Sequence, residues 1–139
     1  MDKENKLVPG LPSGFEDRWE NKLLLKKKLL KAIENNFIKF GAEPLETPSF
    51  EISENIGSFL AEDEANPMSD VFSFQDGEKS ITLRYDLSSP LARFVAQNNQ
   101  ELPSIFKRYQ IQNVFRNEKA GNGRYREFMQ ADFDIVGNV

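Results

Sequence analysis

Two long stretches of alternating residues, about 106–118 and 125–136, constrain the fold of this 139-residue chain more than any other feature. Successive side chains of a β-strand point to opposite faces, so a period of two predicts a strand. A loop with Gly121 and Gly123 joins the stretches. The pattern predicts an antiparallel strand pair whose odd-numbered residues form a core face and whose even-numbered residues form a polar face.

The predicted polar face carries both signs of charge and one aromatic ring: Arg108, Gln110, Gln112, Val114, Arg116, Glu118, Phe128, Gln130, Asp132 and Asp134. An ordinary sheet with one dry and one solvated face is one interpretation. The other is a recognition surface, because guanidinium, amide and carboxylate groups can each bind a specific partner. Lys119 and Arg124 lie around the two loop glycines, where a phosphate could approach.

Helical and extended patterns precede the strand pair. A helix is predicted from about 16 to 40, with one apolar stripe of Trp19, Leu23, Leu30, Ile33 and Phe37. Its lysines are interpreted as a solvated face, and Gly41 is suited to the helix C-terminus. Residues 44–48, with a proline at each end, predict a short extended segment, and acidic residues 51–70 predict a mobile connection.

A hairpin is predicted where Asp76-Gly77 separates two β-rich runs, 71–74 and 81–84. A helix from about 89 to 98 follows, with Pro90 in its first turn. The predicted fold class is therefore α+β, with an antiparallel β-sheet flanked by helices.

The composition excludes several chemistries. The chain has no Cys and no His, so it can form no disulfide, thiolate metal site, imidazole base or His-ligated zinc site. The remaining groups suit phosphate chemistry, in which positioning and charge neutralisation dominate. The net charge of −4 argues against a generic polyanion binder. No targeting or membrane segment is visible, and a cytoplasmic protein with no membrane partner is expected.

Specific motifs point to a family. Phe115-Arg116-Asn117-Glu118, a basic loop with glycines, and Arg124-Tyr125-Arg126-Glu127-Phe128 together resemble motif 2 of class II aminoacyl-tRNA synthetases. The segments 83–88 (LRYDLS) and 123–134 (GRYREFMQADFD) resemble the histidyl-tRNA synthetases within that class. The helix ending at Gly41, with Pro48 after it, resembles motif 1. This places motif 1 at about 20–50 and motif 2 at about 106–136.

The resemblance implies roles in ATP binding. Arg116 would be the catalytic residue, contacting the ATP α-phosphate and the amino-acid carboxylate. Glu118 would accept a hydrogen bond from the adenine amino group, unless it forms a salt bridge with Arg116 or Arg126. Arg124 would reach the γ-phosphate, and Phe128 would stack on adenine.

The resemblance also implies a histidine pocket, formed by Asp86, Leu87, Ser88, Arg116, Gln130 and Asp134. Asp86, Ser88 and Gln130 would accept from the α-ammonium group, and Asp134 from the imidazole ring. Asp86 and Ser88 are also suited to capping the helix that contains Pro90. Ser88 stands where the family more often has Thr.

The implied activity is that of a histidine–tRNA ligase, which activates L-histidine with ATP and transfers it to tRNA(His). Mg²⁺ would arrive with ATP, and no protein-only metal site is expected. A homodimer is expected, because motif 1 usually forms that interface. We expect motif 3 and the anticodon-binding domain to be absent, so that residues 1–139 are an N-terminal part of the catalytic core. The isolated chain is then expected to show no efficient aminoacylation.

Two other interpretations stay open at this stage. One is a noncatalytic regulatory subunit of ATP phosphoribosyltransferase, which resembles the synthetase fold but need not keep the ATP-binding residues. The other is a dimerisation module built on the first helix and the Pro48 strand. The presence of Arg116, Glu118, Arg124 and Phe128 favours the ligase.

Overall fold

A computed structural model describes residues 8–56 and 70–137. The helices and strands in these ranges are, in chain order, α1 (Glu20–Lys39), β1 (Glu43–Pro44), β2 (Phe50–Ile52), α2 (Ser53–Ile56), β3 (Ser73–Asp76), β4 (Lys79–Leu83), α3 (Ser88–Asn98), β5 (Ile105–Phe115) and β6 (Glu127–Gly137). The predicted mobile connection of 51–70 falls largely outside the described residues. Its described beginning contains the end of β2 and the short helix α2.

The predicted strand pair is confirmed. β5 and β6 pair antiparallel from Ile105 opposite Gly137 to Phe115 opposite Glu127, and β1 adds to β5 in parallel. β5 ends three residues before the predicted boundary, because the chain then leaves the ladder. The Asn117 N–H donates to the Asp70 carbonyl instead of to β6.

The predicted hairpin is also confirmed, with a shifted turn. β3 and β4 pair antiparallel, and β2 covers the other edge of β4. Asp76 is paired with Lys79, so the two turn residues are Gly77 and Glu78. Gly77 has φ 61°, a left-handed conformation that glycine adopts without a Cβ clash.

α1 packs on the odd-numbered face of β5 and β6. The Phe37 ring lies 5.8 Å from the Tyr109 ring and 5.7 Å from the Phe133 ring. The Tyr109 hydroxyl donates to Glu34 at 3.1 Å. Contact with the sheet thus comes through the part of the predicted stripe near the helix C-terminus, and Gly41 follows with φ 77°, as predicted.

The start of α1 differs from the prediction. The helix begins at Glu20 rather than near residue 16, because Glu20 itself has a left-handed φ of 50°. Trp19 is 70% exposed and does not belong to the packed stripe. Lys26, interpreted as solvated, is partly buried, and the resulting loss of hydration lowers its pKa.

Of the two interpretations of the even-numbered face, an ordinary solvated face does not hold for β5. Arg108, Gln110 and Val114 are completely buried. The segment before α3 contacts Arg108, which donates to the Leu87 carbonyl. α3 adds an aromatic contact between Phe94 and Phe106, with ring centres 6.1 Å apart. The sheet is therefore covered on both faces, and its buried polar groups hydrogen-bond to one another.

Arg84 joins the two sheets. Its buried guanidinium donates to the Asn113 carbonyl at 2.6 Å and to the Thr47 carbonyl at 2.7 Å. Its own carbonyl accepts from the Phe115 N–H. These contacts hold the end of β4 against β5, and they place residues 85–88 over the even-numbered face of the strand pair.

Candidate functional site

Arg116 lies between two aromatic rings. Its Cζ atom is 4.4 Å from the centre of the Tyr85 ring and 5.0 Å from that of Phe128. Nε also donates to the Tyr85 carbonyl at 3.4 Å. Cation–π contact with both rings restricts the guanidinium to one orientation without neutralising its charge. A fixed guanidinium of this kind can bind an anion with little loss of conformational entropy.

A cavity of about 290 Å³ opens beside Arg116. It is lined by the predicted nucleotide-binding residues and two of their neighbours: Arg116, Glu118, Gly123, Arg124, Tyr125 and Phe128. The strand pair and its loop thus bring together all four side chains to which ATP binding was assigned. The wall combines two cations, one carboxylate and two aromatic rings, which are groups that can bind phosphates and a base.

Glu118 has partners within the site. It accepts from the Tyr85 hydroxyl at 3.0 Å and from Arg124 Nε at 2.9 Å. Hydrogen bonding from Arg124 is the main reason that the pKa of Glu118 lies below its usual value. The salt-bridge alternative predicted Arg116 or Arg126 as the partner, whereas the ion pair is with Arg124. The Arg124 side chain is largely exposed, so this pair can exchange for another ligand at low cost.

Asp86 lies at the start of α3. Its carboxylate accepts from the Ser89 N–H and the Ser89 hydroxyl, both at 3.3 Å. These contacts agree with the capping role considered for Asp86. Ser88, the first residue of α3, is exposed.

Leu87 can offer only its backbone to a ligand. Its side chain is fully buried, and its carbonyl accepts from Arg108 Nη2 at 3.1 Å. The assignment of Leu87 to the histidine pocket therefore holds at most for its main chain.

The remaining predicted pocket residues, Gln130 and Asp134, lie on β6. The Gln130 amide donates to Asp132 at 3.4 Å, and Asp134 Oδ2 is 2.8 Å from Arg108 Nη2. Burial is the main cause of a raised pKa for Asp132, and the carboxylates of Asp134 and Asp86 act in the same direction. Three carboxylates, those of Asp86, Asp132 and Asp134, therefore act on the single guanidinium of Arg108 in this part of the structure.

Sequence reasoning gave no role to Arg108, Asp132 or Tyr85, although all three contact or face the predicted site residues. Arg108 and Asp132 lie on the same even-numbered face as Gln130 and Asp134. Their spacing of two from the predicted residues could have identified them as candidates. Tyr85 is the third residue of the segment 83–88 (LRYDLS), which carries part of the family resemblance.

Residues 8–56 and 70–137 contain no group of three or more Asp or Glu side chains placed to hold a metal ion. These ranges therefore do not fit a protein-only Mg²⁺ site. The helices within them are too short or too polar to cross a membrane.

Comparison with known proteins adds independent evidence. The family described as "tRNA synthetases class II core domain" matches residues 16–139. The chain belongs to the class II tRNA synthetase family. This membership confirms the α+β fold class, with antiparallel sheets and helices, as that of a class II catalytic core.

Two relatives of the chain are histidine–tRNA ligases. The histidine–tRNA ligase of Pelagibacter ubique (strain HTCC1062) is 78% identical over 139 residues, which is all of this chain and 30% of the relative. That of Rhodopseudomonas palustris (strain BisB18) is 44% identical over 138 residues, which is 99% of this chain and 26% of the relative. The chain therefore spans less than a third of the length of the curated relatives it matches.

Solved class II structures agree. The histidyl-tRNA synthetase of Nostoc sp. PCC 7120 superposes with a TM-score of 0.76 and 30% identity, covering 93% of this chain and 29% of that one. A Bacillus halodurans C structure, described as "an ATP phosphoribosyltransferase regulatory subunit/histidyl-tRNA synthetase", has a TM-score of 0.77 at 24% identity. It covers 100% of this chain and 34% of that one, and at this identity it supports the fold alone.

Proposed function

We propose that this chain forms the ATP-binding and L-histidine-binding part of a histidine–tRNA ligase. The observation that carries the proposal is the position of Arg116, which is held between Tyr85 and Phe128 at the mouth of a cavity that Glu118 and Arg124 also line. The relatives at 78% and 44% identity supply the substrate class.

The first step is activation of the amino acid. A carboxylate oxygen of L-histidine attacks the α-phosphorus of ATP, a P–O bond forms, and pyrophosphate leaves to give histidyl-adenylate. Arg116 stabilises the charge that develops on the α-phosphate, because its guanidinium is already oriented. Mg²⁺ accompanies the ATP phosphates.

Nucleotide binding replaces a contact within the site. Arg124 turns from Glu118 to the γ-phosphate, and Glu118 then accepts from the adenine amino group, while Phe128 stacks on the base. The Arg124–Glu118 pair is partly exposed, and such pairs contribute only about 0–1 kcal/mol. Phosphate binding can therefore displace this pair at little cost.

The amino acid lies on the negative side of the site. Asp86, Ser88 and Gln130 accept from the α-ammonium group, Asp134 accepts from an imidazole N–H, and Leu87 contributes main chain only. In the second step a ribose hydroxyl of the terminal adenosine of tRNA(His) attacks the activated carbonyl carbon, and AMP leaves. The loop that begins at Lys119 lies beside the cavity, where it could contact the acceptor end.

The experiment uses a chimaera in which this chain replaces the matching 139 residues of the Pelagibacter ubique ligase. We expect histidine-dependent exchange of pyrophosphate into ATP, and charging of tRNA(His). Substitution of Arg116→Lys should lower kcat/KM for exchange by about 10²-fold or more. Arg93→Lys is the matched control, since Arg93 pairs with Glu51 rather than with a site residue, and it should change kcat/KM less than about twofold.

A chimaera that folds and binds histidine without exchange or charging would contradict the proposal. That result would favour the alternative, a noncatalytic regulatory subunit of ATP phosphoribosyltransferase.

We further propose a homodimer in the cytoplasm. The support for the dimer is a row of exposed leucines on α1, within the segment that resembles motif 1. A cytoplasmic location follows from the proposed use of tRNA.

A further inference from the structure

Arg108 is the most deeply buried cation in the described part of the chain, with no exposed side-chain surface. Its Nη1 donates to Gln110 at 3.1 Å, and its Nη2 donates to the Leu87 carbonyl at 3.1 Å. Nη2 also lies 2.8 Å from Asp134 Oδ2. Burial of a guanidinium carries a large desolvation cost. This loss of hydration is the main reason that the pKa of Arg108 lies below its usual value. Such a group is retained only where its partners compensate it.

The guanidinium is supported from behind by a buried amide. Gln110, also without exposed surface, donates from Nε2 to Thr47 Oγ1 at 2.8 Å and to Gln112 at 2.6 Å. Its Oε1 accepts from Arg108, so a continuous chain of hydrogen bonds runs from Thr47 to the guanidinium. Gln110 and the Leu87 carbonyl together fix the plane of the guanidinium, because each occupies a different donor nitrogen.

The Asp134 carboxylate has an inner and an outer side. Its side chain is 37% exposed, yet Oδ2 is inaccessible and makes no linear hydrogen bond to any described residue. The contact of Oδ2 with Arg108 is therefore an ion pair, and the exposed part of the carboxylate is the Oδ1 side. Arg108 thus holds the buried oxygen, Oδ2, and leaves Oδ1 on the exposed side of the carboxylate.

One guanidinium serves three carboxylates here. Asp134, Asp132 and Asp86 all act on Arg108, in that order of strength. Asp132 is raised in pKa by burial and by the other two carboxylates, while Arg108 opposes the rise. Arg108 therefore favours the ionised form of Asp132. Three carboxylates around one guanidinium leave an excess of negative charge, which suits a substrate that carries N–H donors.

We propose that Arg108 is a positioning residue for the amino-acid pocket, which holds the Asp134 carboxylate so that its outer oxygen accepts an N–H from the substrate imidazole ring. The inference rests on the proposed function, and it assigns to Arg108 a role that the resemblance does not supply. Arg108 acts through Asp134 and touches no substrate atom.

The test measures pyrophosphate exchange in the chimaera with Arg108→Met and Arg108→Lys. Arg108→Met should raise KM for histidine at least tenfold and change KM for ATP less than twofold. Arg108→Lys, which keeps the charge without the planar fork, should give an intermediate KM for histidine. Lys107→Met is the matched control, because Lys107 directly precedes Arg108 on β5 and faces the opposite side of the sheet. Both KM values should stay within twofold in this variant.

A pH profile separates positioning from a purely structural role. Arg108 opposes the raised pKa of Asp132, so the pKa of Asp132 should rise further when Arg108 is absent. The acidic limb of kcat/KM for histidine should therefore move to higher pH in Arg108→Met. The substrate's own titration is the same in both proteins and cancels in the comparison.

A double-mutant cycle supplies the decisive outcome. In an Asp134→Asn background, Arg108→Met should change KM for histidine less than twofold, because the group it positions is gone. Additive effects, or equal rises in both KM values, would overturn the proposal. If Arg108→Met does not fold, Arg108→Lys and Gln110→Leu test the same point, and unchanged KM for histidine in both would equally overturn it. Absence of activity in the unsubstituted chimaera would count against the proposed function instead.

Discussion

Gly14 lies where the N-terminal segment crosses the loop between β5 and β6. Its carbonyl accepts from the Arg126 N–H at 2.8 Å, its φ is 83°, and an added Cβ would lie 2.5 Å from Arg126 Cγ. Arg126 itself packs over Phe72, 4.6 Å from the ring centre. Gly14→Ala should lower the free energy of unfolding by about 1–3 kcal/mol, through left-handed strain and this clash.

The urea unfolding midpoint measures that loss, and Gly10→Ala is its control. A Cβ at Gly10 meets nothing within 4 Å, and Gly10 has no left-handed φ. The control should change the free energy of unfolding by less than about 0.5 kcal/mol. Equal effects of the two substitutions would mean that the contact between the N-terminal segment and the loop carries no stability.

Asp132 should cost the protein stability at neutral pH. Burial raises its pKa above the usual 3.8, so folding disfavours the ionised carboxylate. The penalty is present above the folded-state pKa and disappears below the unfolded-state value. Asp132→Asn should therefore raise the urea midpoint at pH 7, with a gain that shrinks as the pH falls toward 4.

Asp76→Asn, in the exposed β3–β4 hairpin, is the control for that measurement and should leave the midpoint unchanged at both pH values. A lower midpoint for Asp132→Asn at pH 7 would show that Asp132 stabilises the fold, contrary to this argument.

Phe37 is the residue of α1 that contacts two aromatic rings of the sheet. Phe37 contacts the rings of Tyr109 and Phe133, whereas its neighbour Ile38 is exposed. Phe37→Ala should reduce the free energy of unfolding by about 2–3 kcal/mol, near the lower end for large-to-small changes because Phe37 is only partly buried. Ile38→Ala should cost less than about 0.5 kcal/mol. Calorimetry of both variants compares them, and similar losses would show that α1 is not anchored through Phe37.

Local patterns predicted the elements whose geometry is set by neighbours in sequence. Turn residues and the hydrophobic period predicted the β3–β4 hairpin, α3 and the β5–β6 pair. The position of Gly41 predicted the end of α1, and Gly41 has the left-handed φ expected there. The start of α1 could not be predicted, because the left-handed turn at Glu20 has no sequence signal of its own. The contacts of buried Arg108 and Gln110 include Leu87 and Thr47, which are distant in sequence, so local patterns could not predict them.

The site was predicted through its motif rather than through its geometry. Arg116, Glu118, Arg124 and Phe128 do line one cavity. The Arg124–Glu118 pair and the position of Tyr85 against Arg116 required three-dimensional placement, since β4 and β5 are joined only through long-range contacts such as those of Arg84. The sequence identified Arg108 only as one of several polar residues on one face. Alternation predicts the face on which a side chain lies, but it does not predict how deeply that face is buried.

The exposed surface of α1 carries a row of leucines among its lysines. Leu25 and Leu29 are one helical turn apart, with exposures of 70% and 59%, and Leu24 is similarly exposed. A row of exposed leucines is unfavourable in water and marks an association surface. Together with the resemblance of this segment to motif 1, it supports the proposed homodimer.

The dimer proposal predicts a specific loss of self-association. Leu25→Glu with Leu29→Glu should convert a dimer into a monomer at about 50 µM, because burial of four glutamates in a symmetric interface would carry a large desolvation cost. Sedimentation velocity measures the change. Both this pair and the control pair, Lys79→Gln with Lys119→Gln, change the formal net charge from −4 to −6. The control substitutions lie outside α1, so the dimer should persist in that variant, and general charge repulsion is thereby separated from loss of the leucine surface. If the unsubstituted chain sediments as a monomer, the dimer proposal is wrong. If the dimer survives both glutamates, the association surface lies elsewhere.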